Sequence, residues 1–526
     1  MTVPPPGGDR SGDLVELVVD GEAVTVADSG GSLLHALRDQ LGRHGPKDGC
    51  SPQGQCGCCT VLVDGSPRVA CVTPLRRVAG RTITTVDGLD PQVQEQWAEA
   101  LCSTGGSQCG FCTPGIVVRL AALHERQGEG RDDHGAVQRA LQAHLCRCTG
   151  WQTVVEAWDR LDRPSDGDRD LVAATERATL ESGGPQTVSP GVALGRGGFA
   201  EDTAPADALV AVPDGTGGWV VADTVEDARR AAGKVQGRRT TAPAQPPLEV
   251  PDGDWVATLR TSWVEPAYLE TDASWCVPGG EPVSVLANGG AFGGKMSSPL
   301  PTAARELADR HGRPVRVLWS REDAVRNGPK RPPLAGGVRS DGTGVLRVAR
   351  TPGLDAVAAQ LAPGFEIEQV EVAGPPTSLD LRAAVWAEVA MLVAAARGEA
   401  GEVRDPEGGW ARASVADGRI SVTVGGGDPL DHVVLRSYVI GAAHMAFGLI
   451  TSEGLSVAPD GGVGDLTIRS FGVVRAADVP PIEVHVEPES GPPVRVSDAA
   501  FAAVAAAVWL AQGCPSDLPS GTHTLP

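Results

Sequence analysis

The 526 residues suffice for two to four separately cored domains, and a 41% apolar content excludes wholesale disorder despite 68 Gly and 42 Pro. A formal charge of -21 excludes a nucleic-acid footprint, because phosphate binding needs clustered Lys and Arg. Ten of the twelve cysteines lie between Cys50 and Cys148, so one region has work that needs sulfur.

In chain order, Leu14 to Val19 and Val24 to Val26 alternate apolar and polar residues around Asp20-Gly21, a hairpin signal, and Ser32 to Leu41 has helical spacing. After a loop rich in Gly and Cys come strands at Thr60 to Val63, Arg68 to Cys71 and Ile83 to Val86, which predicts a small mixed sheet crossed by one helix. From Pro91 to Trp158 the period turns helical, near 92 to 102, 114 to 126, 134 to 145 and 152 to 161, as in a compact bundle. Residues 163–198 are polar and rich in Gly, Pro and Asp, and read as a linker. Beyond it strands and helices mix. The N-terminus has no basic start, apolar core or twin arginine, so a reducing cytoplasm with thiolates as metal ligands is expected rather than a secreted disulfide framework. The longest apolar run, Ala499 to Ala511, falls short of the roughly 20 residues that cross a bilayer, so a soluble chain with no membrane partner is expected.

The first cysteine group, DGCSPQGQCGCCTVLVDGSPRVAC, has the spacing C-x5-C-x2-C and then a fourth cysteine in the next hairpin, on Cys50, Cys56, Cys59 and Cys71. Plant-type 2Fe-2S ferredoxins use C-x4-C-x2-C with a distant fourth cysteine. Such a cluster needs a glycine-bearing loop that aims backbone N–H groups at sulfur, and Gly49, Gly54 and Gly57 supply it. A structural zinc site is the alternative, but zinc ribbons pair two C-x2-C knuckles and one is present here. Cys58 is expected to face away from Cys59 as a buried bystander. The extra residue between Cys50 and Cys56 departs from the usual spacing.

The second group, GSQCGFCTPG at 106–115 and LCRCTG at 145–150, brings Cys109, Cys112, Cys146 and Cys148 from two helix ends toward one cluster. These two motifs after a ferredoxin-like domain resemble the iron-sulfur region of the xanthine dehydrogenase and aldehyde oxidase family of molybdenum hydroxylases. The resemblance implies that the bundle cluster lies nearest a molybdopterin, with Gln108 and Cys148 approaching it, and that the ferredoxin-type cluster passes electrons on toward FAD.

Residues 264 to 333 contain VEPAYLETDASWCV, then VLANGGAFGGKMSSP, then a GRPVR segment, similar in order to the first half of the family's molybdenum domain. There a GGxFGGK loop would set backbone amides against the cofactor, which implies Gly290, Phe292 and Gly293 as contacts. Residues 435 to 520 look like the family's closing segment. The middle, 340 to 430, is much shorter than the family's, and an arginine-bearing loop over the substrate has no counterpart. Where the family places a glutamate base before its last long helix, PPVRVSDAAF sets Asp498, one methylene shorter. The competing reading is that Ser497 or Asp498 caps the helix from 499 to 512. Lys295 is followed by Met296, where purine-specific members carry glutamate.

The expected fold class is α+β: a ferredoxin-like β-grasp domain (1–88), a helical-bundle 2Fe-2S domain (89–162), a linker (163–198) and an abridged α+β molybdopterin-binding-like domain (199–526). The expected function is the iron-sulfur subunit of a hetero-oligomeric molybdenum hydroxylase with two 2Fe-2S clusters. Its C-terminal domain would dock a separate catalytic subunit that holds or shares molybdopterin, and FAD would sit on another subunit, since no flavin region intervenes. The alternative is a self-contained hydroxylase of aldehydes or N-heterocycles with Asp498 as base.

Overall fold

The computed structural model describes residues 13–127, 133–161, 163, 169–233 and 242–526. The architecture is α+β, as expected, with four sheets of four or five strands among helices. At the N-terminus β1 (Asp13–Val19) and β2 (Glu22–Asp28) form the hairpin across Asp20-Gly21. They join β3 (Thr60–Val63), β4 (Ser66–Val69) and β5 (Thr82–Thr84) in the order β2-β1-β5-β3-β4. Parallel β1–β5 pairing with antiparallel neighbours makes the mixed sheet that the alternation predicts. The helix that crosses it is short, Leu33–His35 running into a π-helical stretch, Ala36–Gln40.

Four helices follow: α1 (Pro91–Thr104), α2 (Thr113–Gln127), α3 (His134–Leu141) and α4 (Gln152–Arg160). Asp90 caps α1 through the Gln92 N–H, Pro91 occupies its first position, and Gly105 ends it in the left-handed conformation, so both ends are written locally. The stretch expected as a linker carries a helix, α5 (Leu171–Ser182), capped by Asp170. Its small apolar residues Ala174 and Ala178 pack with Val434 and Tyr438, which is why its composition resembles a solvated connector.

The C-terminal region is not a separate body. Trp263, Leu269, Val325, Leu455, Ile468 and Phe471 share one continuous apolar core with the sheet and bundle that bear the cysteines. Helices α6 (His432–Thr451) and α7 (Ser497–Ala511) pack together in a second core. Among the described residues α6 is the helix long and apolar enough to cross a membrane, and 89% of its apolar window is buried inside the protein.

Ser497 and Asp498 do not cap α7. The N-terminal amides of Val496 and Ser497 donate instead to the Glu181 carboxylate at the end of α5, 2.9 Å for Ser497. Glu181 is in turn paired with Arg177, both fully enclosed. The cap comes from a segment 316 residues away, so local spacing gave no sign of it.

Candidate metal centres

All twelve cysteines are free thiols, and those at the eight predicted positions are buried. In the first group the sulfurs of Cys50 and Cys56, Cys50 and Cys71, and Cys59 and Cys71 are in hydrogen-bonding contact. The backbone N–H groups of Gln53 and Gln55 donate to Cys50 Sγ at 3.2 and 3.5 Å, and that of Cys71 to Cys59 Sγ at 3.4 Å. These contacts with Cys56 and Cys71 hold the Cys50 thiol well below its ordinary pKa despite burial. Across the five-residue spacing Cys50 keeps contact with both Cys56 and Cys71. Gly57 adopts φ +74°, and a Cβ there would lie 2.4 Å from the His144 ring, so only glycine lets the loop lie on the bundle.

In the second group Cys109 Sγ and Cys148 Sγ are 3.6 Å apart, and Cys112 and Cys146 form the other pair. Cys112 and the Thr149 hydroxyl, 3.1 Å away, bring the Cys146 thiol down to about 6. The first four thiols thus form a chain of contacts, Cys56–Cys50–Cys71–Cys59, and the second four meet as two pairs. Each group offers the four buried thiols that would hold a 2Fe-2S cluster. The nests touch: the Leu145 N–H donates to the Cys56 carbonyl at 2.9 Å.

Cys58 departs from expectation. It is fully buried, yet its sulfur turns toward the nest, in contact with Cys56. A Cβ built on Gly49 would meet Cys58 Sγ at 3.1 Å, Cys56 Sγ at 3.2 Å and Phe111 Cε1 at 3.2 Å, so Cys58 lies in the seam between the two groups.

The sequence motifs of the C-terminal region gather against the second nest. Lys295 of the GGAFGGK loop donates to Glu270 of the AYLE segment at 2.8 Å and to the Val285 carbonyl at 3.1 Å, beneath the Tyr268 ring. Asn288 Nδ2 donates to the Cys109 carbonyl at 2.9 Å. Gly290 presses so closely that a Cβ would lie 2.8 Å from Cys109 Cβ. Gln108, expected at a pterin, is turned inward: its amide donates to the Cys148 carbonyl at 3.0 Å and to Ser437 Oγ of α6 at 2.9 Å.

On the far side of the loop lies a cavity of about 530 Å³, lined in part by Phe292, Gly293, Arg382, Trp386, Arg495 and Asp498. Its volume suits a small molecule. Its charges do not suit a phosphate-bearing pterin, because Asp380, Asp405, Glu407 and Asp498 outnumber the two arginines. Asp498 is itself engaged by Arg382 at 3.2 Å and faces Arg495 at 3.7 Å. Burial, reinforced by Asp498, lifts Asp405 to about 6. Arg382 also lies over the Phe292 ring, 5.2 Å from its centroid. Sequence reasoning missed both arginines: Arg382 meets Asp498 across 116 residues, and Arg495 stands only three residues before it in a segment read for its acid alone.

A family profile described as a 2Fe-2S binding domain matches residues 85–159. The chain is 42% identical over 146 residues to an aldehyde oxidoreductase of Megalodesulfovibrio gigas, covering 27% of this chain and 15% of that protein. It is 34% identical over 154 residues to a probable xanthine dehydrogenase subunit of Bacillus subtilis (strain 168), covering 29% of this chain and 87% of that one. The solved aldehyde oxidoreductase of Desulfovibrio gigas superposes with a TM-score of 0.68 at 13% identity, over 96% of this chain and 99% of that chain, a likeness of fold. With two sulfur nests in place and a relative matched over most of its length, the chain belongs to the xanthine dehydrogenase and aldehyde oxidase family of molybdenum hydroxylases.

Proposed function

We propose that the chain is the electron relay of a molybdenum hydroxylase, in a reducing cytoplasm, with residues 1–88 and 89–162 each holding one 2Fe-2S cluster. Cys50, Cys56, Cys59 and Cys71 would hold one and Cys109, Cys112, Cys146 and Cys148 the other. The observation that carries this reading is the pairing of eight buried thiols into two abutting nests, with backbone amides aimed at sulfur in the first. When bound, each cluster accepts and releases one electron. The protein's part is to keep water from the thiolates, to fix their spacing, and to set the nests so close that transfer needs no moving part.

Electrons would arrive at the second nest across the GGAFGGK loop from a molybdopterin centre on a partner subunit seated at the cavity side, where Met296 is 56% exposed. The acidic lining of the cavity supports placing that centre on the partner. They would leave the first nest for an FAD-bearing subunit. The chain purified alone is expected to contain four iron and four acid-labile sulfide and no molybdenum, and to give two distinct EPR signals on reduction. Two irons per chain would overturn the relay.

A second reading, the self-contained hydroxylase with Asp498 as base, is favoured by the cavity that joins Phe292 and Gly293 to Asp498. Stoichiometric molybdenum on the isolated chain, with aldehyde oxidation abolished by Asp498→Asn, would establish it in place of the partner-docking reading.

A further inference from the structure

The two nests differ in the charges around them, and the difference originates in the C-terminal region. Arg321 is 0% exposed. Its Nη2 donates to the carbonyls of Gly49 and Leu269 at 2.8 Å each, while Nε and Nη1 have no partner. Every other buried Lys or Arg among the described residues has a carboxylate within 4.0 Å; Arg321 has none. Its guanidinium lies 5.8 Å from the Tyr268 ring centroid, and the buried carboxylates around that ring, Glu265 on Lys330 and Asp272 on the Tyr268 hydroxyl, make no ion pair with it. Asp48, next to the first nest, is taken by Arg229.

A second arginine grips the other end of the same loop. The Arg469 backbone N–H donates to Gln55 Oε1 and its Nε to the Gln55 carbonyl, both at 3.1 Å. It too has no carboxylate partner among the described residues, and Arg475 adds positive charge beside it. Gly49 and Gln55 are the residues immediately before Cys50 and Cys56. The second nest is set differently: its nearby cations Arg147 and Lys295 are neutralised by Glu453 and Glu270.

A buried cation requires a countercharge. A 2Fe-2S cluster on four thiolates is an anion, and it gains a further negative charge on reduction. Unpaired guanidinium groups therefore stabilise its reduced form more than its oxidised form, and arginine keeps its charge. We propose that Arg321, assisted by Arg469, is a charge-setting residue for the ferredoxin-type nest. It raises that nest's reduction potential above that of the bundle nest, so that electrons run from Cys109–Cys148 toward Cys50–Cys71. One electron leaves one cluster and enters the other, with no proton transferred and no bond made. The inference rests on the relay reading above and gives the C-terminal region a role in transfer itself.

The test is an EPR-monitored redox titration of the full chain loaded with both clusters, with the first nest's signal assigned through Cys71→Ser. Arg321→Met is expected to shift the first nest's equilibrium against reduction roughly tenfold, which for one electron is about 59 mV. The bundle signal should move less than about threefold, and Arg321→Lys should recover most of the loss. Arg469→Met should act in the same direction but less, because solvent screens it. The proposal is overturned if both methionine variants leave the first nest within about twofold of wild type, or if both nests shift together. Should Arg321→Met not accumulate as folded protein, Arg469→Met decides, and an unmoved first nest overturns the proposal. A wild-type chain without two signals would instead overturn the relay on which it stands.

Discussion

Replacing Arg147 by methionine removes a guanidinium from the loop between Cys146 and Cys148 and tests what joins the second nest to the C-terminal core. Arg147 makes two parallel bonds to Glu453, at 2.5 and 2.6 Å, and a third to the Pro266 carbonyl at 3.1 Å. The two residues are 3% and 2% exposed, so Glu453 would be left as an unpaired buried carboxylate. Removing one partner of such a pair costs about 3–5 kcal/mol, whereas replacing both by apolar groups is often nearly neutral. In a unit of 150–250 residues each kcal/mol lowers the thermal transition by about 2–4 °C. Arg147→Met should therefore bring the first melting transition down by roughly 6–20 °C, with early loss of the second cluster's visible absorption, and Arg147→Met/Glu453→Leu should restore most of it. Burial already raises the Glu453 carboxyl, so the single variant's deficit should shrink on acidification as Glu453 takes up a proton. A loss under about 1 kcal/mol in Arg147→Met, or a double variant as unstable as the single, would refute the reasoning.

Three further outcomes are expected. Cys58→Ala should retain four irons per chain while Cys56→Ala loses two, measured by iron and acid-labile sulfide analysis; equal losses would make Cys58 a ligand. Burial holds the His444 imidazole down at about 4, with its Nε2 on the Val474 carbonyl at 3.0 Å. A depressed folded value gives stability that is present above the unfolded pKa and lost as pH falls, here roughly 3 kcal/mol between about pH 6.5 and 4. His444→Gln should flatten that part of the urea-stability profile against pH, and an unchanged slope would remove His444 as its source. Glu181→Ala strips α7 of its cap and leaves Arg177 buried without its partner, so chemical denaturation should register a loss of about 3–5 kcal/mol. Glu181→Gln, which keeps an acceptor, should lose less.

What the sequence disclosed and what it concealed follow from distance along the chain. The β1–β2 hairpin, the four bundle helices and both cysteine groups were legible because each is written within a few residues: a turn dipeptide, a 3.6 period, a ligand spacing. The gathering of Cys109, Cys112, Cys146 and Cys148 was readable as convergence of two helix ends, although which sulfur meets which, as Cys109 meets Cys148 across 39 residues, was not. The surroundings of the nests were not. Arg147 meets Glu453 across 306 residues and Arg321 meets Gly49 across 272, and no local pattern marks either. Helix α5 was misread because its buried face combines Ala174 and Ala178 with the charged Arg177 and Glu181, which carry no hydrophobic signal. Asp498 was placed correctly at the start of α7, but its neighbours Arg382 and Arg495 decide its chemistry, and only the packed structure brings Arg382 to it.

The contacts that enclose the second nest constrain how the protein matures. Asn288 and Gly290 lie on Cys109, Ser437 holds Gln108, and Gly441 is so close to the Cys148 carbonyl that a Cβ would stand 1.9 Å from it. Iron and sulfide must reach these thiols while α6 and the GGAFGGK loop still stand off. A chain that shuts before it is loaded has to reopen part of its core to be repaired, so the timing of cofactor delivery is written into the order in which the C-terminal half docks.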